Sequence, residues 1–178
     1  MRTLESPLRA FTRKGNGMYN LNYWERLEKF KLLSMERRME RYCILYVWKS
    51  LYGFVPSLGF MWNNTVNRSG LQLVIKKVTG SVQSAVTLKY QSLSHYGVQL
   101  FNLLPYDLKI FQGTVKQFKS RLDKLLEYYP DQPYMDGYRP DARDSRDNPS
   151  NTLLDWIRIK GVPLITSEDT VQVNHGIV

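Results

Sequence analysis

The stretch MERRMERYCILYVWKSLYG, Met35 to Gly53, is charged in its first half and apolar in its second. Ser34 stands where a helix N-cap belongs, since its hydroxyl can accept from a first-turn backbone N–H. Gly53 stands where a helix can leave through the left-handed region, and Val55-Pro56 forbids continuation. The stretch therefore predicts a helix from Met35 to about Tyr52. Met35, Met39, Tyr42 and Tyr46 recur at i, i+4, i+7 and i+11, while Ile44, Val47, Trp48 and Leu51 form a second apolar stripe. A half-helix that is apolar nearly all round is expected to be buried. Its longest uninterrupted apolar run, Tyr42 to Trp48, is seven residues. A membrane span needs about 20, and no clean polar face is left for lying on a lipid surface. The expectation is a core helix whose basic half carries Arg37, Arg38 and Arg41 into solvent.

The charge of the whole chain points the same way. It has 178 residues, 25 Lys+Arg against 16 Asp+Glu, and a formal net charge of +9. Residues 1–62 carry eleven Lys/Arg and five Asp/Glu, residues 63–130 nine and three, and residues 131–178 five and eight. The first two segments are each net +6 and the last is −3, so the final quarter is a different kind of sequence. A basic surplus favours polyanions as partners. Cys43 is the only cysteine, which rules out an internal disulfide and a cysteine zinc site. MRTLESPLRAFTRK has no apolar leader segment. Both features fit a reducing intracellular compartment, nucleus or cytoplasm.

Moving outward from the central helix, residues 1–20 read as a basic, irregular arm broken by Gly15-Asn16-Gly17. Asn22 followed by Glu25 is a capping box, predicting a helix from Tyr23 to about Lys31. Leu71, Leu73 and Ile75 alternate with polar residues, Thr79-Gly80-Ser81 turns, and Val86, Leu88 and Tyr90 alternate again. That pattern predicts a small antiparallel hairpin packed on helices. Val98, Phe101 and Leu104 suit a short helix ending at Pro105. Thr114 and Gln117 box the start of another, with Val115, Phe118, Leu122, Leu125 and Leu126 as its apolar stripe. Residues 131–150 are a Pro/Asp/Arg-rich linker, and Ser150-Asn151 can cap a last short helix from Thr152 to Ile159. The expected fold class is α+β and mostly helical: a helical bundle with a small antiparallel β-hairpin and a disordered C-terminal segment. Its divisions are 1–20, 21–130, 131–150, and 151–178 for the short helix and tail.

Catalytic signatures are scarce. The chain has no Gly-rich phosphate loop and no nucleophile elbow. His95 and His175 lack a second ligand at metal-binding spacing, and His95 reads as a turn residue. Tyr134-Met135-Asp136-Gly137 is half of a polymerase Tyr-x-Asp-Asp motif, with Gly137 in place of the second carboxylate that would hold metal ions. Asp141, Asp144 and Asp147 alternate with Arg143 and Arg146, which is a self-neutralising pattern. No metal and no cofactor is expected.

Several ordered blocks nevertheless carry a resemblance. LESPLRAFTRK and GM precede LNYWERLEKFKLLSMERRMERYCILYVWKSLYGFVP. LKYQSLSHYGVQLFNLLPYDLK, TVKQFKSRLDKLLEYYPDQP, Gly137-Tyr138 and SNTLLDWI follow. Together, across roughly residues 4–160, they resemble the region near the end of non-LTR retrotransposon reverse transcriptases, the jockey-like RNA-directed DNA polymerases. Many relatives read QRRRERY where this chain has Met35 to Tyr42, and are more basic around Arg68-Ser69-Gly70. The tail after Gly161 matches nothing in the family. The resemblance implies a thumb and post-palm fragment of a transposable element, with the palm and its aspartates upstream, so no catalytic residue carries over.

A thumb-like region grips the template–primer by its phosphates, which needs Lys and Arg on rigid helices. Arg37, Arg38, Arg41, Lys116, Lys119, Arg121 and Lys124 are the candidate nucleic-acid-binding residues, with Arg13 and Lys14 as additions. The expected partners are RNA or an RNA–DNA hybrid, and the missing palm as a packing partner. Neither a membrane nor a metal is expected. Two other readings stand beside this one. In one the chain has survived only as a structural remnant; in the other the Thr114–Tyr129 helix is presented to a protein partner.

Overall fold

A computed structural model describes residues 2–63, 71–75, 77, 92–132 and 152–161. Helix α1 is Arg2–Arg13, α2 is Tyr23–Lys29 and α3 is Met35–Leu51. A π-helical turn, Leu93–Gly97, runs into α4, Val98–Asn102. Helix α5 is Tyr106–Lys109, α6 is Val115–Glu127 and α7 is Leu153–Lys160.

The caps explain most of these boundaries. Asn22 accepts from Trp24 N and Glu25 N while Glu25 reaches back to Asn22 N, the complete capping box. Ser34 accepts from Arg37 N at the head of α3, and Gly53 leaves its end at φ +76. Thr114 and Gln117 close the second box, on α6. At α7 the cap is Thr152, which accepts from Asp155 N; the expected Ser150-Asn151 lies one step too early.

Helix α3 is the hub. Ile44, Val47 and Trp48 are fully buried against Val98, Leu100 and Phe101 of α4 and against Phe118 and Leu122 of α6. Trp48 stacks on Phe118 with centroids 4.3 Å apart, and its indole N–H donates to Phe111 O at 3.0 Å. The π-helical turn presses on α3 at Gly97, where an added Cβ would lie 3.3 Å from Val47 and closer still to Leu93. Leu153, Trp156 and Ile157 of α7 complete the same core. Tyr129 reaches over it to donate to Gly161 O at 2.8 Å.

Three expectations are corrected. The α+β class fails: among the described residues there is no β-strand, only one isolated bridge, Trp62 to Leu73. The first half of the expected hairpin pairs elsewhere. Asn63 N donates to Gln72 O and Val74 N to Met61 O, while Asn102 takes the other edge, exchanging bonds with Leu73 N (2.7 Å) and Leu73 O (2.9 Å). A side-chain amide thus occupies the backbone groups that a second strand would have used. The second half, Val86 to Tyr90, falls outside the described residues. The irregular arm is also wrong, because Arg2–Arg13 is helical and Gly15-Asn16-Gly17 follows that helix instead of breaking it. Finally, the linker does not begin at residue 131. Asp131 is a fixed acceptor for Ser34 N and Ser34 Oγ. The rest of the expected linker from 133, and the tail from 162, lie outside the described residues.

Candidate nucleic-acid interface

Of the three arginines on α3, two are committed inside the protein. Arg37 is 0% exposed. Its Nη2 donates to Pro130 O at 3.1 Å, and its Nε pairs with Glu40 at 3.7 Å and Asp131 at 3.8 Å. Glu40 is equally buried, and its Oε1 accepts from Tyr96 OH and Leu153 N, each at 2.8 Å. Burial pushes the Glu40 carboxyl from 4.5 up to about 7, against the opposing pull of Arg37, Tyr96 and the Leu153 N–H. A charge this deep cannot reach a phosphate. Arg37 instead joins α3 to residues 130–131, and Glu40 joins it to the π-helical turn and α7.

Arg41 forms a two-pronged bond to Asp123 of α6, Nε to Oδ1 at 2.5 Å and Nη2 to Oδ2 at 2.8 Å, which holds its guanidinium above its ordinary value. Arg38 alone of the three faces outward. It is half-buried at the edge of an open cleft.

The four basic residues of α6 do not form one face. At 100° per residue they spread over about 200° of the helix. Lys119 and Lys116 fall on the flank that carries Asp123, Lys124 points away, and Arg121 lies on the opposite flank over the Phe111 ring, 4.3 Å from its centroid. Lys116 and Lys124 are exposed; Lys119 and Arg121 are half-buried. No single phosphate strand running past α6 meets all four. The apolar stripe of α6 is core.

A second basic group lies where α1 meets α2, and its regularity is hidden if the arm is read as irregular. Arg9 sits over the Tyr23 ring at 4.4 Å. Arg26 is buried, donating to Thr12 Oγ1 and Leu21 O. Its guanidinium is pushed down first by burial and then by Arg13 and Arg9. Arg13 and Lys14 are exposed beside it. The signal that could have found this group is the i, i+4 spacing of Arg9 and Arg13 on one helix. Glu5 fastens α1 down by accepting from Tyr23 OH and from Met35 N at the head of α3.

The other structural surprise is on α3 itself. Ile44, Arg37 and Trp48 face the core, which places Met35, Met39, Tyr42 and Tyr46 on the opposite side at 100° per residue. Tyr42 is 60% exposed and Tyr46 39%. The expectation that the apolar half is buried all round therefore holds for one stripe only. The other stripe lines an open cleft of about 580 Å³ with Cys43, Leu93 and Arg38.

Among the described residues no group of three or more His, Cys, Asp or Glu could hold a metal. His95 is buried in the π-helical turn rather than exposed, with its Nε2 3.1 Å from Gln99 Nε2. Asp136 lies outside the described residues. No helix among them is long and apolar enough to cross a membrane.

Comparison with known proteins gives no relative. No family model matches the chain, and neither a curated protein nor a solved structure does.

Proposed function

We propose that the chain is the post-palm, thumb-like part of a retrotransposon-type reverse transcriptase, that it has no catalytic role of its own, and that it holds RNA or an RNA–DNA hybrid by its phosphates. The observation that carries the binding half of this reading is the like-charge group at the α1–α2 junction. Arg9, Arg13 and Arg26 lie close enough for the first two to depress the third. Held together by a fixed fold, they create a positive field that a polyanion relieves. Lys14 extends this group, and Lys116 and Lys124 supply outward cations on α6. The ordered sequence blocks support the family half of the reading.

The contacts are to the backbone, so affinity should be insensitive to base sequence and steeply dependent on salt. The test is fluorescence anisotropy with a labelled RNA–DNA hybrid while KCl is raised from about 50 to 200 mM. With Z phosphates neutralised, the slope of log K against log salt is about −0.9 Z for a duplex. Arg13→Glu with Lys14→Glu should flatten that slope, and Lys116→Glu with Lys124→Glu should flatten it further. Absence of binding at 50 mM, or a flat salt response, refutes the reading.

A further inference from the structure

The outward stripe of α3 has the geometry of a helix-docking seam. Met35, Met39, Tyr42 and Tyr46 are spaced four, three and four residues apart, the spacing at which one helix meets another along a line. They run for ~17 Å along the helix. Because α3 is held from behind by Trp48 and Phe118 and at its head by Ser34 and Asp131, the stripe is presented on a rigid element. Met and Tyr are side chains suited to such a surface: one adapts its shape and the other is stiff and amphipathic.

Charge decides between occupants. Among the described residues, Arg38 is the one charged side chain lining the cleft. Lys49 lies three helical turns further along the same edge, at i+11. A second copy of this chain is disfavoured, since an antiparallel self-pairing brings like edges together, Arg38 and Lys49 against their own counterparts, in molecules that each carry +9. A partner with carboxylates beside its apolar stripe meets both residues favourably.

We propose that this seam docks an amphipathic helix from a separate protein chain, apolar along one stripe and carrying Asp or Glu at the positions flanking it on the Arg38–Lys49 side. This goes beyond phosphate binding, and it uses a face of the molecule that the α1–α2 basic group does not need.

The probe is a pair of labelled synthetic helices of about 14 residues, long enough to cover the seam. Both carry Leu at the seam positions; one has Glu at the flanks and the other Lys. Anisotropy titration with the full chain at low salt should show the Glu helix binding about tenfold more tightly. Arg38→Glu with Lys49→Glu should reverse the preference. Tyr42→Ser should abolish binding of both helices while leaving the circular dichroism spectrum and the hybrid affinity unchanged, since Tyr42 is 60% exposed. Equal affinity for the two helices, or no saturable binding of either, overturns the proposal. So does a dimer in sedimentation equilibrium that Tyr42→Ser dissociates, which would assign the seam to a second copy. Loss of nucleic-acid binding with the α1–α2 variants would leave these results untouched, so the two readings fail separately.

Discussion

Replacing Glu40 by Gln tests the buried joint most directly. The native protein holds the Glu40 proton more tightly than an unfolded chain does, because burial raises its carboxyl from 4.5 to about 7. That preference contributes fully to stability below pH 4.5 and is lost as the pH rises through 7. The gap of about 2.5 pH units, at about 1.4 kcal/mol per unit, amounts to roughly 3 kcal/mol. Glu40 is 0% exposed, so solvent screening takes little from this figure. Gln has the same shape and a carbonyl oxygen for Tyr96 OH and Leu153 N, but it does not titrate. Most of that gap falls between pH 5 and pH 8, so the stability advantage of Glu40→Gln over the parent should grow by about 2–3 kcal/mol across this range. Urea unfolding followed by circular dichroism at four pH values measures it, and comparing the two proteins cancels every titration they share. A difference that stays constant across this range, or a parent that gains on the variant as the pH rises, would show that Arg37 keeps Glu40 ionised and that the reasoning is wrong.

Four other substitutions probe the fold. Trp48→Ala removes a fully buried ring stacked between Phe118 and Phe54, and should cost about 3–5 kcal/mol in urea unfolding. Arg37→Ala leaves Glu40 and Asp131 without their shared cation and should cost a similar amount, about 3–5 kcal/mol; Arg41→Ala breaks a partly exposed pair and should cost only about 1 kcal/mol. Asn102→Ala leaves both backbone groups of Leu73 without their side-chain partner, and should cost about 1–3 kcal/mol with faster amide exchange at Leu73.

Helix starts were readable because their chemistry is local. Asn22 with Glu25, Ser34, and Thr114 with Gln117 each announce a cap within four residues, and each forms. The hairpin failed because alternation reports an extended chain and not its neighbour. Leu73 is extended and buried, but its partners are Met61 to Asn63 and the side chain of Asn102, 29 residues away. The arginines of α3 failed for a related reason. A basic half-helix looks solvated, yet Arg37 and Arg41 find their carboxylates at Asp131 and Asp123, 94 and 82 residues on. Nothing within α3 encodes those pairings. Glu36 and Glu40 look like local partners at helical spacing, and Glu40 acts as one, for Arg37. The Met35–Tyr46 stripe shows the opposite limit: an apolar pattern does not tell core from docking face.

The bond from Leu153 N to Glu40 spans 113 residues, and this sets an order of events during synthesis. α1 to α6 can collapse while α7 is still inside the ribosome, since most of their contacts lie within residues 2–132. At about 5–20 residues per second, the interval between residues 132 and 160 lasts a few seconds. Throughout it Glu40 lacks the Leu153 N–H, and the places of Leu153, Trp156 and Ile157 in the core are unfilled. Arrival of α7 fills those places and brings the Leu153 N–H to Glu40. The segment made last is thus the one that completes the enclosure of the buried acid.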